Sequence, residues 1–175
     1  MKTVKVILIA ALTNRRVIGK DGDLVWKHDL DMKRFRDTTR GNIVLMGRKT
    51  WASIPEKFRP LAGRTNVVIT RQSAEDCPLP DNVLRYSSVE DAIRTLRARD
   101  DIRGDIYVIG GGEIYVQAMP FADQLDITHV DVDRGGDVYF PEIDTAIWDG
   151  KKVGECIPVD SPEPSFAFWT YTRRT

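Results

Sequence analysis

Three groups of residues have types and spacings suited to chemistry: a carboxylate on a short helix, cations placed just after apolar strands, and a run of three glycines. The carboxylate is Asp31, within Trp26-Lys27-His28-Asp29-Leu30-Asp31-Met32-Lys33-Arg34-Phe35 and the residues up to Thr39. Wound at helical pitch from His28, Asp31, Met32, Phe35, Thr38 and Thr39 share one arc. Asp29, Lys33, Arg34, Arg36 and Asp37 face away, and Leu30 falls outside the apolar arc. A charged carboxylate among apolar neighbours is unfavourable unless it is hydrogen-bonded, and a ligand with paired N–H donors is one such partner. The same residue also suits a partly exposed helical position, or a first-turn acid favoured by the helix dipole.

The cations are Arg48 and Lys49, in Gly47-Arg48-Lys49-Thr50, and Arg71 in Thr70-Arg71. The first set stands where an apolar strand turns into a helix, whose free N–H groups and positive potential suit phosphate; a solvated basic surface is the plainer reading. The interval from Gly41 to Gly47 is no P-loop, because an apolar strand fills it and the ending is Gly-Arg-Lys-Thr. Thr70-Arg71 ends a strand, the end at which open α/β sheets bind ligands. In Ile109-Gly110-Gly111-Gly112-Glu113-Ile114-Tyr115 the glycines let a backbone approach a pyrophosphate closely. They serve a tight structural turn equally well, and Tyr115 replaces the last glycine of the common dinucleotide fingerprint.

The elements that must position these groups are legible as an alternation of strands and helices. Residues 4–12 read as a strand buried on both faces, followed by a loop to residue 27 and the Asp31 helix, which Arg40-Gly41-Asn42 stops. Residues 43–46 are the next strand, and the helix after it ends before Pro55. A loop over 55–64, a strand over 66–71, a loop over 72–82 and a short strand over 83–86 follow. Ser87 and Glu90 suggest a capping box for a helix over 89–99 with Val89, Ala92, Ile93 and Leu96 on its apolar face. After the glycine turn, Pro120 helps end a helix, residues 125–132 alternate as a half-buried strand, and Gly135-Gly136-Asp137 turn the chain. Residues 148–157 and 166–172, joined by Ser161-Pro162-Glu163-Pro164, read as antiparallel strands closing the sheet.

Composition bounds the function. The 175 residues suit one domain, residues 1–175, and 42% hydrophobic with 30% charged residues is a globular balance. Lys plus Arg equals Asp plus Glu at 26 each, so no net field is available for nucleic acid or an anionic membrane, and phosphate binding has to be local. Cys77 and Cys156 lie outside any C-x-x-C spacing and indicate reduced thiols in a cytoplasmic setting; His28 and His129 form no metal-ligand cluster. The lead Met1-Lys2-Thr3-Val4-Lys5 enters a run too short to span a membrane and carries no cleavage pattern.

Gly19, Leu24, Val25-Trp26, Asp31, Phe35 and Thr39, at these spacings, resemble the signature of the dihydrofolate reductase family. Gly47-Arg48, the Leu61 to Arg64 segment, Ile-Gly-Gly-Gly followed two residues later by Tyr115, Thr128 and Phe140-Pro141 extend the resemblance from Val4 to Arg173. Val25 departs from the family's proline, His28-Asp29 from the apolar residue and proline common in bacterial members, and Val138 from the commoner threonine. The resemblance implies a three-layer α/β fold with a mixed, mostly parallel sheet of about eight strands and about four helices. It also implies a cis peptide between Gly110 and Gly111.

The implied reaction is NADPH-dependent reduction of 7,8-dihydrofolate to tetrahydrofolate. Asp31 would hold the pterin 2-amino and N3 groups and bias a proton toward N5, with Trp26 and Thr128 supporting it and residues 19–24 as a lid. Ile9, Ala10, Ala11, Met32, Phe35, Ile54, Leu61, Ile109 and Tyr115 would line the substrate cleft, and Arg64 would clamp the glutamate α-carboxylate. Cofactor contacts would come from Ala11, Ile18, Gly19, Gly47, Arg48, Lys49, Thr50, Thr70, Arg71, Ile109, Gly110, Gly111, Gly112, Glu113, Ile114 and Tyr115. Antifolate-type molecules would be ligands, and a monomer with no metal, nucleic-acid or membrane partner is expected. The rivals are the pyrimidine reductase of riboflavin synthesis, which shares fold and cofactor, and a nucleotide-binding module without catalysis.

Overall fold

A computed structural model describes residues 3–175; Met1 and Lys2, part of the expected lead into the first strand, lie outside the described residues. The elements in chain order are β1 (Val6–Leu12), β2 (Val17–Lys20), β3 (Asp23–Leu24), α1 (Asp29–Thr39), β4 (Ile43–Gly47), α2 (Arg48–Ser53), β5 (Thr65–Ile69) and β6 (Leu84–Tyr86). Then come α3 (Val89–Ala98), β7 (Ile106–Gly110), α4 (Gly112–Ala118), β8 (Gln124–Val130), β9 (Val138–Tyr139), β10 (Trp148–Cys156) and β11 (Phe166–Arg173).

The main sheet has eight strands in the order β10-β11-β8-β1-β7-β4-β5-β6. Every pair from β8 to β6 is parallel, and β11 joins β8 and β10 antiparallel. The apolar runs of β1, β4 and β7 are the strands buried on both faces, as parallel strands flanked by helices must be. The chain runs outward from β1 through β4, β5 and β6, then returns to β7 and β8. Right-handed crossovers therefore put α1 and α2 on one face and α3 and α4 on the other. Alternating side chains fill the two layers: Val6, Leu8, Leu45 and Val108 pack with α3 and α4, while Ile7, Val44, Met46 and Tyr107 pack with Trp51 of α2. The three-layer fold, with an eight-stranded main sheet and four α-helices among the described residues, is the one expected.

Two local expectations are corrected. Residues 17–24 are a β-hairpin rather than a loop, turning at Asp21-Gly22 with positive φ at both residues, and β9 completes a second sheet in the order β3-β2-β9. An Asp-Gly pair suits such a turn, but two- and four-residue strands are too short to show a period of two. The cap of α3 is Ser88, whose hydroxyl accepts from the Asp91 N–H at 3.1 Å, not Ser87 with Glu90. Two adjacent serines are equivalent in sequence, and the residue that leaves the extended backbone of β6 last takes the role.

Candidate active site

The first turn of α1 is fixed by three aromatic rings and one cap. His28 has an extended backbone and its Nδ1 accepts from the Leu30 N–H at 3.1 Å, so the helix begins at Asp29 and Asp31 falls in its first turn. The His28 ring lies 4.8 Å from Phe166 and stacks on Trp26 at 6.1 Å. This is what the departure at His28 does: the imidazole takes the helix-capping role that Ser or Asp usually fills.

Thr128 on β8 donates to Asp31 Oδ1 at 2.6 Å, joining positions 97 residues apart. Burial pushes the Asp31 carboxyl above the usual range, opposed by the Thr128 hydrogen bond and then by the charge of Arg34. The outcome is an unusually basic acceptor facing an apolar cleft, suited to paired N–H donors. Trp26 is buried beside Ala11 and Val130, and its indole N–H has no acceptor among the described residues, so one further donor belongs to this site.

Ile9, Ile54, Leu61 and Ile109 are half-buried against one core cluster, with Ala11 against the neighbouring one. Phe35 is half-buried, but Met32 is 41% exposed, against the expectation of an apolar arc. Only Thr39 of α1 is buried, so most of the helix lies at the surface. Arg34 does not face away either: its guanidinium stands 4.2 Å over the Phe168 ring, since position i+3 lies on the same side as Asp31.

Alternation along β1 sends the Ala10 side chain into the opposite layer, where Ile18, Ile114 and Tyr115 are also packed. The Tyr115 hydroxyl donates to the Ile9 carbonyl at 2.7 Å and its ring packs on Phe140, so these four residues support the cleft from behind. Gly110 has φ +117°, and an added Cβ would meet the Tyr115 ring at 3.2 Å, so only glycine fits there. The Gly110–Gly111 peptide is cis, as the resemblance implies.

The second half of the cleft lies across β7, β4 and β5. Gly47 pairs with Ile69, which sets Arg48-Lys49-Thr50 and Thr70-Arg71 at neighbouring strand ends, and Met46 pairs with Gly110, which adds the glycine triplet. A Cβ on Gly111 would meet only Thr50 Oγ1, at 3.5 Å. Among the described residues Arg48, Lys49 and Arg71 have no ion-pair partner, so the cations are available to an anion. Glu113 is exposed on the first turn of α4. Gly19 is buried in β2, which pairs with β9. These backbone openings and unpaired cations fit a dinucleotide.

Arg64 lies at the other end of the α1 wall. Its Nε donates to the Ala62 carbonyl at 3.0 Å and one terminal nitrogen to Thr39 Oγ1 at 3.2 Å, with the guanidinium 5.9 Å over Phe35. Burial, then the like charges of Arg40 and Arg36, press its pKa down, which makes an anion a favourable neighbour. The residues missed from sequence are Arg34, Asp126 and Phe168. Helical i, i+3 spacing from Asp31 and strand alternation from Thr128 were the signals for the first two.

A buried carboxyl held by Thr128, with a glycine turn and unpaired cations at the carboxyl edge of a mostly parallel sheet, is the arrangement of α/β folds that bind ligands at their strand ends. The family model described as dihydrofolate reductase matches residues 5–173, and the chain belongs to that family. It is 38% identical to bifunctional dihydrofolate reductase-thymidylate synthase 1 of Arabidopsis thaliana over 95% of this chain and 34% of the relative. It is 35% identical to dihydrofolate reductase HdrB of Haloferax volcanii over 98% of this chain and 84% of the relative. It is 39% identical to the dihydrofolate reductase of Haemophilus influenzae over 81% and 82%. The chain thus spans about a third of the length of the bifunctional plant relatives it matches. Among the described residues, no helix is long and apolar enough to cross a membrane, no group of acidic, His or Cys side chains is arranged for a metal, and Cys77 and Cys156 are free thiols.

Proposed function

We propose that this chain reduces 7,8-dihydrofolate to 5,6,7,8-tetrahydrofolate with NADPH, as one domain over residues 1–175, a monomer, in the cytoplasm. The observation that carries the reading is the Asp31 carboxyl, raised in basicity by burial and pinned by Thr128 at 2.6 Å. Asp31 accepts hydrogen bonds from the 2-amino and N3 groups of the pterin and fixes the face it presents. Its negative charge favours a proton at N5, where reduction of the C=N bond otherwise leaves charge on nitrogen. Thr128 holds the carboxylate in place, and the Trp26 N–H serves a water or ligand atom beside it. Ile9, Ala11, Phe35, Ile54, Leu61 and Ile109 exclude water and shape the cleft. When bound, NADPH supplies the hydride equivalent. Arg48, Lys49, Thr50, Thr70 and Arg71 hold its phosphates, and the backbone at Gly110 to Gly112 accepts its close approach.

The test is NADPH oxidation with and without dihydrofolate, which should occur only with it. Turnover of a riboflavin-pathway pyrimidine instead would reassign the enzyme. NADPH binding with no oxidation would leave a binding module. Antifolate-type pterin analogues should compete with dihydrofolate, and the protein should elute as one copy in size-exclusion chromatography.

Arg64→Lys should weaken dihydrofolate about tenfold and leave NADPH affinity nearly intact, because an ammonium cannot make the two-pronged contact a guanidinium makes. Calorimetric titration with dihydrofolate and with a pterin lacking the glutamate decides it. Equal losses for both would show that Arg64 is not the tail clamp.

A further inference from the structure

Asp31 is not the only carboxyl on this face of the sheet. Asp126 lies two residues before Thr128 on β8, and strand alternation puts both on the side of α1. The ladder between β8 and β11 pairs Phe168 with Thr128 and Thr170 with Asp126, so the Phe168 ring stands beside the residue that holds Asp31. Onto that ring, at 4.2 Å, is laid the guanidinium of Arg34, one helical turn from Asp31. Arg34 closes an ion pair with neither carboxyl among the described residues, yet its charge acts on both. The dihydrofolate reading uses Asp31 alone and leaves Arg34, Asp126 and Phe168 without a role.

We propose that Arg34, held on the Phe168 ring and shared by Asp31 and Asp126, is a positioning residue for the reaction that sets the charge of Asp31. This inference rests on the dihydrofolate reading for its consequence in turnover, and on geometry alone for its effect on Asp31. Facing the Asp31 carboxyl are Thr128 from β8, and Arg34 and the His28 ring from its own helix and cap. Facing Asp126 are Gln124, whose amide donates to it at 2.8 Å, Thr170 from β11, Arg34 from α1 and Tyr107 from β7. Burial pushes the Asp126 carboxyl up, and burial followed by the charges of Asp126 and Asp105 pushes the Tyr107 phenol up to about 12. Among the described residues, Arg34 is the one permanent cation whose charge bears on both carboxyls. Because one guanidinium bears on both acids, a change at Asp126 that frees or holds Arg34 reaches Asp31 through it.

The signs are fixed by charge. Removing Arg34 makes Asp31 harder to ionise, and removing the charge of Asp126 makes it easier. The test follows the Asp31 carboxyl resonance by NMR in isotope-labelled, ligand-free protein across pH, assigned by its disappearance in Asp31→Asn. Arg34→Gln should raise its midpoint by about one pH unit, a tenfold rise in proton affinity, and Arg34→Lys should restore most of that. Asp126→Asn should lower the midpoint, and Phe168→Leu, which removes the ring but no charge, should raise it less than Arg34→Gln does. Single-turnover hydride transfer with dihydrofolate should show its own pH midpoint moving in the same directions.

An unmoved Asp31 midpoint in Arg34→Gln, equal shifts in Arg34→Gln and Arg34→Lys, or an upward shift in Asp126→Asn would overturn the proposal. If Arg34→Gln does not fold, the opposite signs required of Asp126→Asn and Phe168→Leu decide it. A wild-type protein that never oxidises NADPH with dihydrofolate would overturn the proposed function instead, while the resonance shifts would still report on Arg34.

Discussion

Asp31→Asn should lose about a hundredfold or more in turnover at neutral pH while NADPH still binds, the range that follows from removing a positioned acid–base group. The change is nearly isosteric and keeps an acceptor for the Thr128 hydroxyl, now at 2.6 Å from the carboxyl, so geometry is preserved and the charge is not. Acidification supplies the protonated substrate from solution, and the hydride-transfer rate of the variant should rise toward that of the wild type as pH falls. Single-turnover measurements with binding checked separately isolate this step from product release. Near-wild-type transfer at neutral pH would show that the carboxylate is structural. The same variant should be more stable than the wild type at neutral pH. Burial raises the Asp31 pKa in the folded state, so the folded protein holds its proton at pH values where the unfolded chain has released it. Stability contributed by this group therefore falls as pH rises out of the ordinary carboxylate range, and above the folded pKa the ionised Asp31 is a net cost. Thermal melts should show Asp31→Asn with the higher midpoint at neutral pH, and the gap should close as the pH drops below the ordinary carboxylate range.

The second large effect is on cofactor choice. Neutralising Arg48 and Arg71 together should weaken NADPH at least about a hundredfold more than NADH, each charge-assisted contact being worth about 1.5–3 kcal/mol. The two arginines stand at adjacent strand ends because Gly47 pairs with Ile69, and neither is spent on a carboxylate among the described residues. Two cations brought to one strand end gain most from the extra phosphate that separates the two cofactors. Equilibrium titration with both nucleotides reads the ratio directly, and an unchanged ratio in the double variant would remove the phosphate assignment.

The order of strands and helices, the apolar face of α3, the glycine turn and the Asp31 to Thr39 spacing are legible along the chain, because each depends on residues a few positions apart. The wall residues Ile9, Ile54, Leu61 and Ile109 follow from the resemblance and gather in one cluster. What local pattern leaves open is the direction of side chains that sit between two environments. Ala10 alternates with Ile9 and Ala11 along β1 and so faces the opposite layer, where Ile18 of β2 and Ile114 and Tyr115 of α4 also pack, and only the assembled sheet says which face each occupies.

Charges at long range are set by the fold alone. Composition shows equal numbers of cations and anions, and a helical wheel of the α1 segment turns Arg34 outward. Packing β11 against β8 places Phe168 beneath Arg34 and brings Asp126 to the same face, and Thr128 reaches Asp31 across 97 residues. Propensity and periodicity act within a turn or a strand, so they specify elements. The electrostatics of Asp31 depend on which elements become neighbours and how deeply they exclude water, and that is decided when the sheet is assembled.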